Sequence, residues 1–250
     1  MGTAAVVAAG VIAAVVVAAR PPAARREVVP VVLVPGYLGT AAQMSELGRA
    51  LRRAGREVVP VTLPGRGTGD MTASAQGLAR AVEATGAARV DLVGFSAGGI
   101  VVRTFLSELD GTERTRRVVL LGAPNHGAEV AELATSVDPG LCTGACAQIA
   151  PGSSFLERLN RDETPDGSDY TTVWTDRDTT VTPPASALLE GATNIRVQDV
   201  CGGATTSHGD LVRDPVALGL TVLALAGDLD RVPEGRRCAL AHSVGAGAEP

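Results

Sequence analysis

Aromatic side chains make up only 2% of this 250-residue chain. So small a supply excludes the rows of stacked rings on which single-stranded nucleic acids and polysaccharides are held. An excess of positive charge is missing as well. Lys plus Arg number 22 against 27 Asp plus Glu, a net charge of −5, which removes the electrostatic basis for binding a phosphate backbone. Cysteine is scarce: Cys142, Cys146, Cys201 and Cys238 are the only four, and no C-x-x-C pair occurs, which speaks against a four-thiolate zinc site. No internal repeat and no second domain is visible. Global disorder is excluded by a hydrophobic content of 45% against 20% charge. A chain of this length can build one α/β domain with a substantial core.

The amino-terminal end has no charged side chain before Arg20. Residues 3–19 are an uninterrupted run of Ala, Val, Ile, Gly and Thr, closed by Arg20-Pro21-Pro22. The run fits the apolar core of a secretory signal or a minimal membrane span, and Val17-Ala18-Ala19 resembles a small-residue cleavage site. Residues 1–27 are therefore expected to be a signal peptide or membrane anchor with its linker. The protein is expected to be secreted, or held at the outer face of the cell membrane. An even cysteine count in an exported chain predicts two disulfides. Local pairing gives Cys142–Cys146 and Cys201–Cys238, one of three possible connectivities.

Against this background one short stretch stands out, VDLVGFSAGGIVVRTF at residues 90–105. Residues 90–95 read as a buried parallel strand, and residues 100–109 have helical spacing. Between them lies Gly94-Phe95-Ser96-Ala97-Gly98. Glycine is abundant, 30 of 250 residues, so a G-x-S-x-G pattern alone carries little; its placement between strand and helix carries more. A serine in so tight a turn takes a strained backbone, needs small neighbours, and projects its hydroxyl above the sheet. The helix amino terminus behind it offers N–H groups and positive potential to a developing oxyanion.

The remaining chain alternates strand and helix. Strands are expected at 28–34, 57–63, 90–95, 117–122, 170–175 and 194–200. Helices are expected at 45–54, 73–84, 100–109 and 215–226. That order predicts a doubly wound α/β fold with a mainly parallel sheet of about six strands spanning 28–240. The segment 124–168 reads as an insertion that could cover the site.

A serine nucleophile needs a base and a group that orients the base. On a sheet of this kind the acid and then the histidine follow the nucleophile, each on a loop after a late strand. Of the three histidines, His208 in CGGATTSHGDL lies after the last strand and before the last helix. His126 comes too early, and His242 falls in a glycine-rich tail expected to be mobile. The acid should follow the strand YTTVW, where Asp176 and Asp178 compete. Asp178 is favoured because it opens a D-x-x-V-x-P turn, in which the valine packs down and the proline redirects the chain.

Together VPGYLGT, GFSAGG, LGAPNHG, RDTTVTP and SHGDL resemble the secreted actinobacterial lipase/esterase group of the α/β-hydrolase superfamily, related to bacterial class 2 lipases. The likeness runs from about residue 28 to 227. It implies Ser96 as nucleophile, Asp178 as acid, His208 as base, and the backbone N–H groups of Tyr37 and Ala97 as the oxyanion hole. Many members have His-Gly where this chain has Pro35-Gly36. The segment CTGACAQIAPGSSFLERLN also resembles the group, with cysteines suited to a local disulfide. The implied protein hydrolyses carboxylic esters or lipids and uses no metal or organic cofactor; with the charge balance and the apolar run at 3–19, it is expected to bind no nucleic acid, to be a monomer, and to be able to associate with membrane through residues 3–19. Two alternatives remain at this stage: a serine acyltransferase of the same fold, and a non-catalytic lipid-binding relative.

Overall fold

The computed structural model describes Gly2 and residues 29–131 and 142–247. The apolar run at 3–19 and the middle of the 124–168 insertion lie outside the described residues. Among the described residues no helix is long and apolar enough to cross a membrane.

Six strands form one sheet: β1 (Val31–Val34), β2 (Val58–Pro60), β3 (Val90–Phe95), β4 (Thr115–Leu121), β5 (Asp169–Trp174) and β6 (Thr193–Arg196). Their spatial order is β2-β1-β3-β4-β5-β6, and every pairing is parallel. Parallel neighbours need crossovers, and those between β1 and β5 carry the helices α1 (Ser45–Arg53), α2 (Met71–Ala84), α3 (Ala97–Glu108) and the short α4 (Ala145–Gln148) and α5 (Ser154–Leu159); the single turn α6 (Val197–Val200), α7 (Pro215–Ala226) and α8 (Glu234–Ala246) follow the last strand.

The inner strand β1 and most of β3 read as apolar runs because both sheet faces are covered there. Successive residues point to opposite sides. Val31 and Leu33 join α1 and α7 in one core cluster, whereas Val32 and Val34 join α2, α3 and α5 in the other. The helix ends follow from the sequence. Asp70 caps α2 by accepting the Ala73 N–H at 2.9 Å, and Asp214 caps α7 through Val216 and Ala217, with Pro215 in the first turn. At the opposite end of β3 from the elbow, fully buried Asp91 is bound by Arg56 and, through two bonds of 2.9 and 2.6 Å, by Arg116.

Two expectations need correction. Residues 197–200 are a helical turn rather than the end of a strand; the ladder with β5 stops at Arg196. The turn aims Gln198 back at the loop after β5 and delivers Cys201 to its disulfide partner. His242 is not in a mobile tail but on α8, exposed. The reason is a close helix crossing. A β-carbon on Gly219 would stand 1.8 Å from the Ala241 carbonyl oxygen, and one on Gly245 1.8 Å from that of Pro215. Glycines that read as tail composition are what let α8 lie directly on α7, which is why α7 can be apolar all round.

Both disulfides form with the local connectivity, Cys142–Cys146 and Cys201–Cys238. Of the described part of the insertion, α5 belongs to the core, burying Phe155, Leu156 and Leu159 against α3.

Candidate active site

At the carboxyl end of β3 the chain turns sharply into α3. Ser96 occupies the turn at φ 53°, ψ −132°, a conformation that costs an ordinary residue of order 1–3 kcal/mol. The turn is held because the Ser96 N–H donates to Leu121 O at 2.8 Å and its carbonyl accepts from Gly99 N–H at 2.8 Å. The flanking glycines are needed for separate reasons. A β-carbon on Gly94 would lie 2.6 Å from Gly99 Cα, inside the elbow itself. One on Gly98 would lie 2.4 Å from both Val34 O and Pro35 O, so Gly98 is where α3 meets the end of β1.

His208 opens the 3-10 turn His208–Val212, which follows β6 and α6. Its Nδ1 lies 2.6 Å from Asp178 Oδ2, and both side chains are nearly buried. The other carboxylate oxygen, Oδ1, accepts the N–H groups of Thr180 (2.8 Å) and Val181 (2.7 Å). Asp178 is therefore fully committed: one oxygen to its own loop, one to the imidazole. A carboxylate on Nδ1 selects the tautomer with hydrogen there and leaves Nε2 as an acceptor. The imidazole rests against Phe95, with ring centroids 4.9 Å apart. Among the described residues neither Ser96 Oγ nor His208 Nε2 has a hydrogen-bond partner.

The turn carrying His208 is fixed by a reciprocal cap. Asp210 accepts from Ser207 N–H at 3.0 Å and Ser207 Oγ–H at 2.5 Å. Those bonds hold the Asp210 carboxyl below its ordinary pKa, with nearby Arg213 acting in the same direction.

The loop 35–39 lies beside the elbow. A β-carbon on Gly36 would stand 2.9 Å from Ser96 Cβ. Tyr37 follows it, 39% exposed, and the turn is closed by Gly39 N–H to Gly36 O at 2.9 Å. Leu38 has φ 55°, and its carbonyl accepts from the Arg66 guanidinium. Ala97 is the first residue of α3, so its N–H has no acceptor within the helix. Pro35 in the place of the resemblance's histidine is buried, leaving the turn closed.

The other candidates stand apart. Asp176 is exposed, 3.9 Å from Arg196. His126 is bonded through Nε2 to Glu163 at 2.8 Å and faces Ser186 O with Nδ1. No group of three or more His, Cys, Asp or Glu is placed to hold a metal among the described residues. Two grooves of about 640 and 380 Å³ lie along β6 and the amino-terminal end of β5, and none of the elbow, Asp178 or His208 lines them.

Three contributors escape the sequence reading. In the sequence Phe95 reads as strand core only. Gly122 has φ 55°, and a β-carbon there would meet His208 Nδ1 at 3.2 Å and Asp178 Oδ2 at 3.4 Å; a glycine closing the strand run before Ala-Pro was its only signal. Gln198 carries no local signal at all.

The family model described as "alpha/beta hydrolase fold" matches residues 29–141. No curated protein sequence matches the chain. Among solved structures, Aspergillus fumigatus lipase B is 23% identical with a TM-score of 0.72, the match covering 89% of this chain and 61% of that one. The chain thus spans less than two thirds of that lipase. A Bacillus licheniformis lipase in its mature form is 18% identical with a TM-score of 0.62, covering 83% and 95%. An extracellular hydrolase from a Paenibacillus species is 15% identical with a TM-score of 0.54, covering 79% and 98%.

Proposed function

From the α/β-hydrolase fold of this chain, we propose that it is an exported serine hydrolase cleaving carboxylic esters, in the lipase/esterase class. The observation that carries the reading is the 2.6 Å bond between His208 Nδ1 and Asp178 Oδ2 at the same sheet end as Ser96, whose backbone is strained into the elbow.

In this reading Ser96 Oγ attacks the ester carbonyl while His208 Nε2 takes its proton. Asp178 holds the tautomer and stabilises the imidazolium that forms. The N–H groups of Tyr37 and Ala97 receive the oxyanion, each worth about 3 kcal/mol of barrier. His208 then protonates the departing alcohol and activates water against the acyl-enzyme. The two disulfides support an oxidising compartment. Residues 1–27 are proposed as the export signal or anchor, and an ester or lipid as the substrate.

The test is a p-nitrophenyl ester chain-length series on the purified protein and on Ser96→Ala. The parent should hydrolyse at least part of the series. The variant should lose several orders of magnitude in kcat while melting normally, since alanine leaves the turn's packing intact. A serine-directed phosphonate should label Ser96 alone. Labelling elsewhere, or equal activity of the variant, refutes the assignment.

A further inference from the structure

The acid and the histidine reach the site on separate loops, one after β5 and one after β6. What fixes one loop against the other is a buried polar junction. Thr175, the residue after β5, is fully buried. Its hydroxyl donates to Thr206 O at 2.7 Å and accepts from Gln198 Nε2 at 2.8 Å and from Arg177 N–H at 3.1 Å. A hydroxyl has one hydrogen and two lone pairs, so every one of its bonding positions is filled. Gln198 extends the junction: its Oε1 accepts the Asp176 N–H at 3.2 Å, and its Nε2 also reaches Ala204 O at 3.4 Å.

The partners divide cleanly. Thr175, Asp176 and Arg177 lead to Asp178; Ala204 and Thr206 lead to His208. Asp178 N–H donates back to Thr175 O at 3.3 Å. One threonine and one glutamine therefore cross-link the two loops within three residues of the carboxylate and two of the imidazole. Among the described residues no hydrogen bond runs from the junction to Ser96 or to the loop at 35–39.

We propose that Thr175 and Gln198 are positioning residues that set the Asp178–His208 contact, and with it the rate of proton transfer rather than the binding of substrate. This rests on the reading of Asp178 and His208 as the acid and base of an ester hydrolase. A buried hydroxyl with every bonding position filled, as that of Thr175 is, holds a single geometry. Losing the shared hydroxyl releases the two loops from one another, and small misplacements of catalytic groups carry large rate penalties.

Thr175→Val keeps the shape and removes the hydroxyl; Thr175→Ser restores it. With a soluble ester, Thr175→Val should lose about 10–100-fold in kcat with KM changed by less than about twofold, and Thr175→Ser should recover most of the loss. The proton resonance of the His208 Nδ1–H bond, recorded without substrate, should move or broaden in the valine variant and return in the serine variant. If the valine variant does not fold, Gln198→Leu, at a half-buried position, is read the same way. An unmoved resonance with unchanged kcat, or a rise in KM alone, overturns the proposal. Failure of the ester-hydrolase reading looks different: Ser96→Ala would keep its activity while the resonance still responded to Thr175.

Discussion

The Phe95 ring supports the His208 imidazole at 4.9 Å, with the two planes tilted by 38°. The ring that the His208 imidazole rests on is thus the chain neighbour of Ser96, and hydroxyl and imidazole share a single piece of scaffold. Phe95→Leu keeps most of the apolar volume but removes the flat surface beneath the imidazole. Stability should fall by about 1 kcal/mol, as near-volume-conserving core swaps do. Ester turnover should fall by about tenfold, because the imidazole loses a fixed orientation. Chemical denaturation and initial-rate kinetics on the same preparation separate the two effects.

Asp178 and Asp176 are two positions apart and should behave as unrelated residues. Asp178→Asn should cut turnover by about 10⁴-fold, the scale seen when the histidine is left in the wrong tautomer. Asp176→Asn should cost less than about tenfold, since its exposed carboxylate meets Arg196 at a loose 3.9 Å. Both variants assayed against one soluble ester decide the matter. A crippled Asp176→Asn beside an active Asp178→Asn would reverse the assignment.

The cap between Ser207 and Asp210 gives a prediction in pH. The Asp210 carboxyl is held below its ordinary pKa, first by the Ser207 hydroxyl and then by the Ser207 N–H. A carboxyl depressed in the folded state adds stability above its unfolded pKa, and that contribution disappears as pH falls through the folded value. Asp210→Asn should therefore melt below the parent at neutral pH, and the gap should close as pH drops below about 4. Parallel melting curves across that range, with a gap that never narrows, would count against the cap.

The two disulfides should differ in worth. Cys201–Cys238 spans a sequence separation of 37 and ties α6 to α8, whereas Cys142–Cys146 spans only 4. On loop-closure entropy alone, replacing the first pair by alanine should cost about 4 kcal/mol and the second about 2 kcal/mol. Urea denaturation of the two double variants gives the comparison. Mass spectrometry of the purified, unreduced parent should show four fewer hydrogens than its reduced form.

Much of this architecture was legible because the sheet is buried on both faces. The run Val90 to Phe95 is buried throughout and apolar but for Asp91, and only Gly94, Ser96 and Gly98 between strand and helix explain how so sharp a turn fits. The D-x-x-V-x-P turn is built as its residues suggest: Val181 packs down, 2% exposed, and its N–H is claimed by the Asp178 carboxylate. What stayed hidden lives in contacts between distant residues. Thr175 and Gln198 meet across 23 positions, and neither side chain announces a partner. The crossing of α7 and α8 depends on absent β-carbons at Gly219 and Gly245. A composition reading takes such glycines for flexibility, whereas here they permit contact.

The all-parallel sheet has a consequence for the order in which the molecule comes into being. No strand lies beside a partner to which a tight turn connects it, so each pairing waits on a crossover, and long-range pairings of this kind form slowly. Ser96, Asp178 and His208 hang from the ends of β3, β5 and β6. They share a space only once β4 has bridged the first two strands and β6 has joined the edge. A nascent chain emerging from the ribosome therefore carries Ser96 long before Asp178 and His208 can stand beside it. Whatever the three residues do together, the unfinished chain cannot do it.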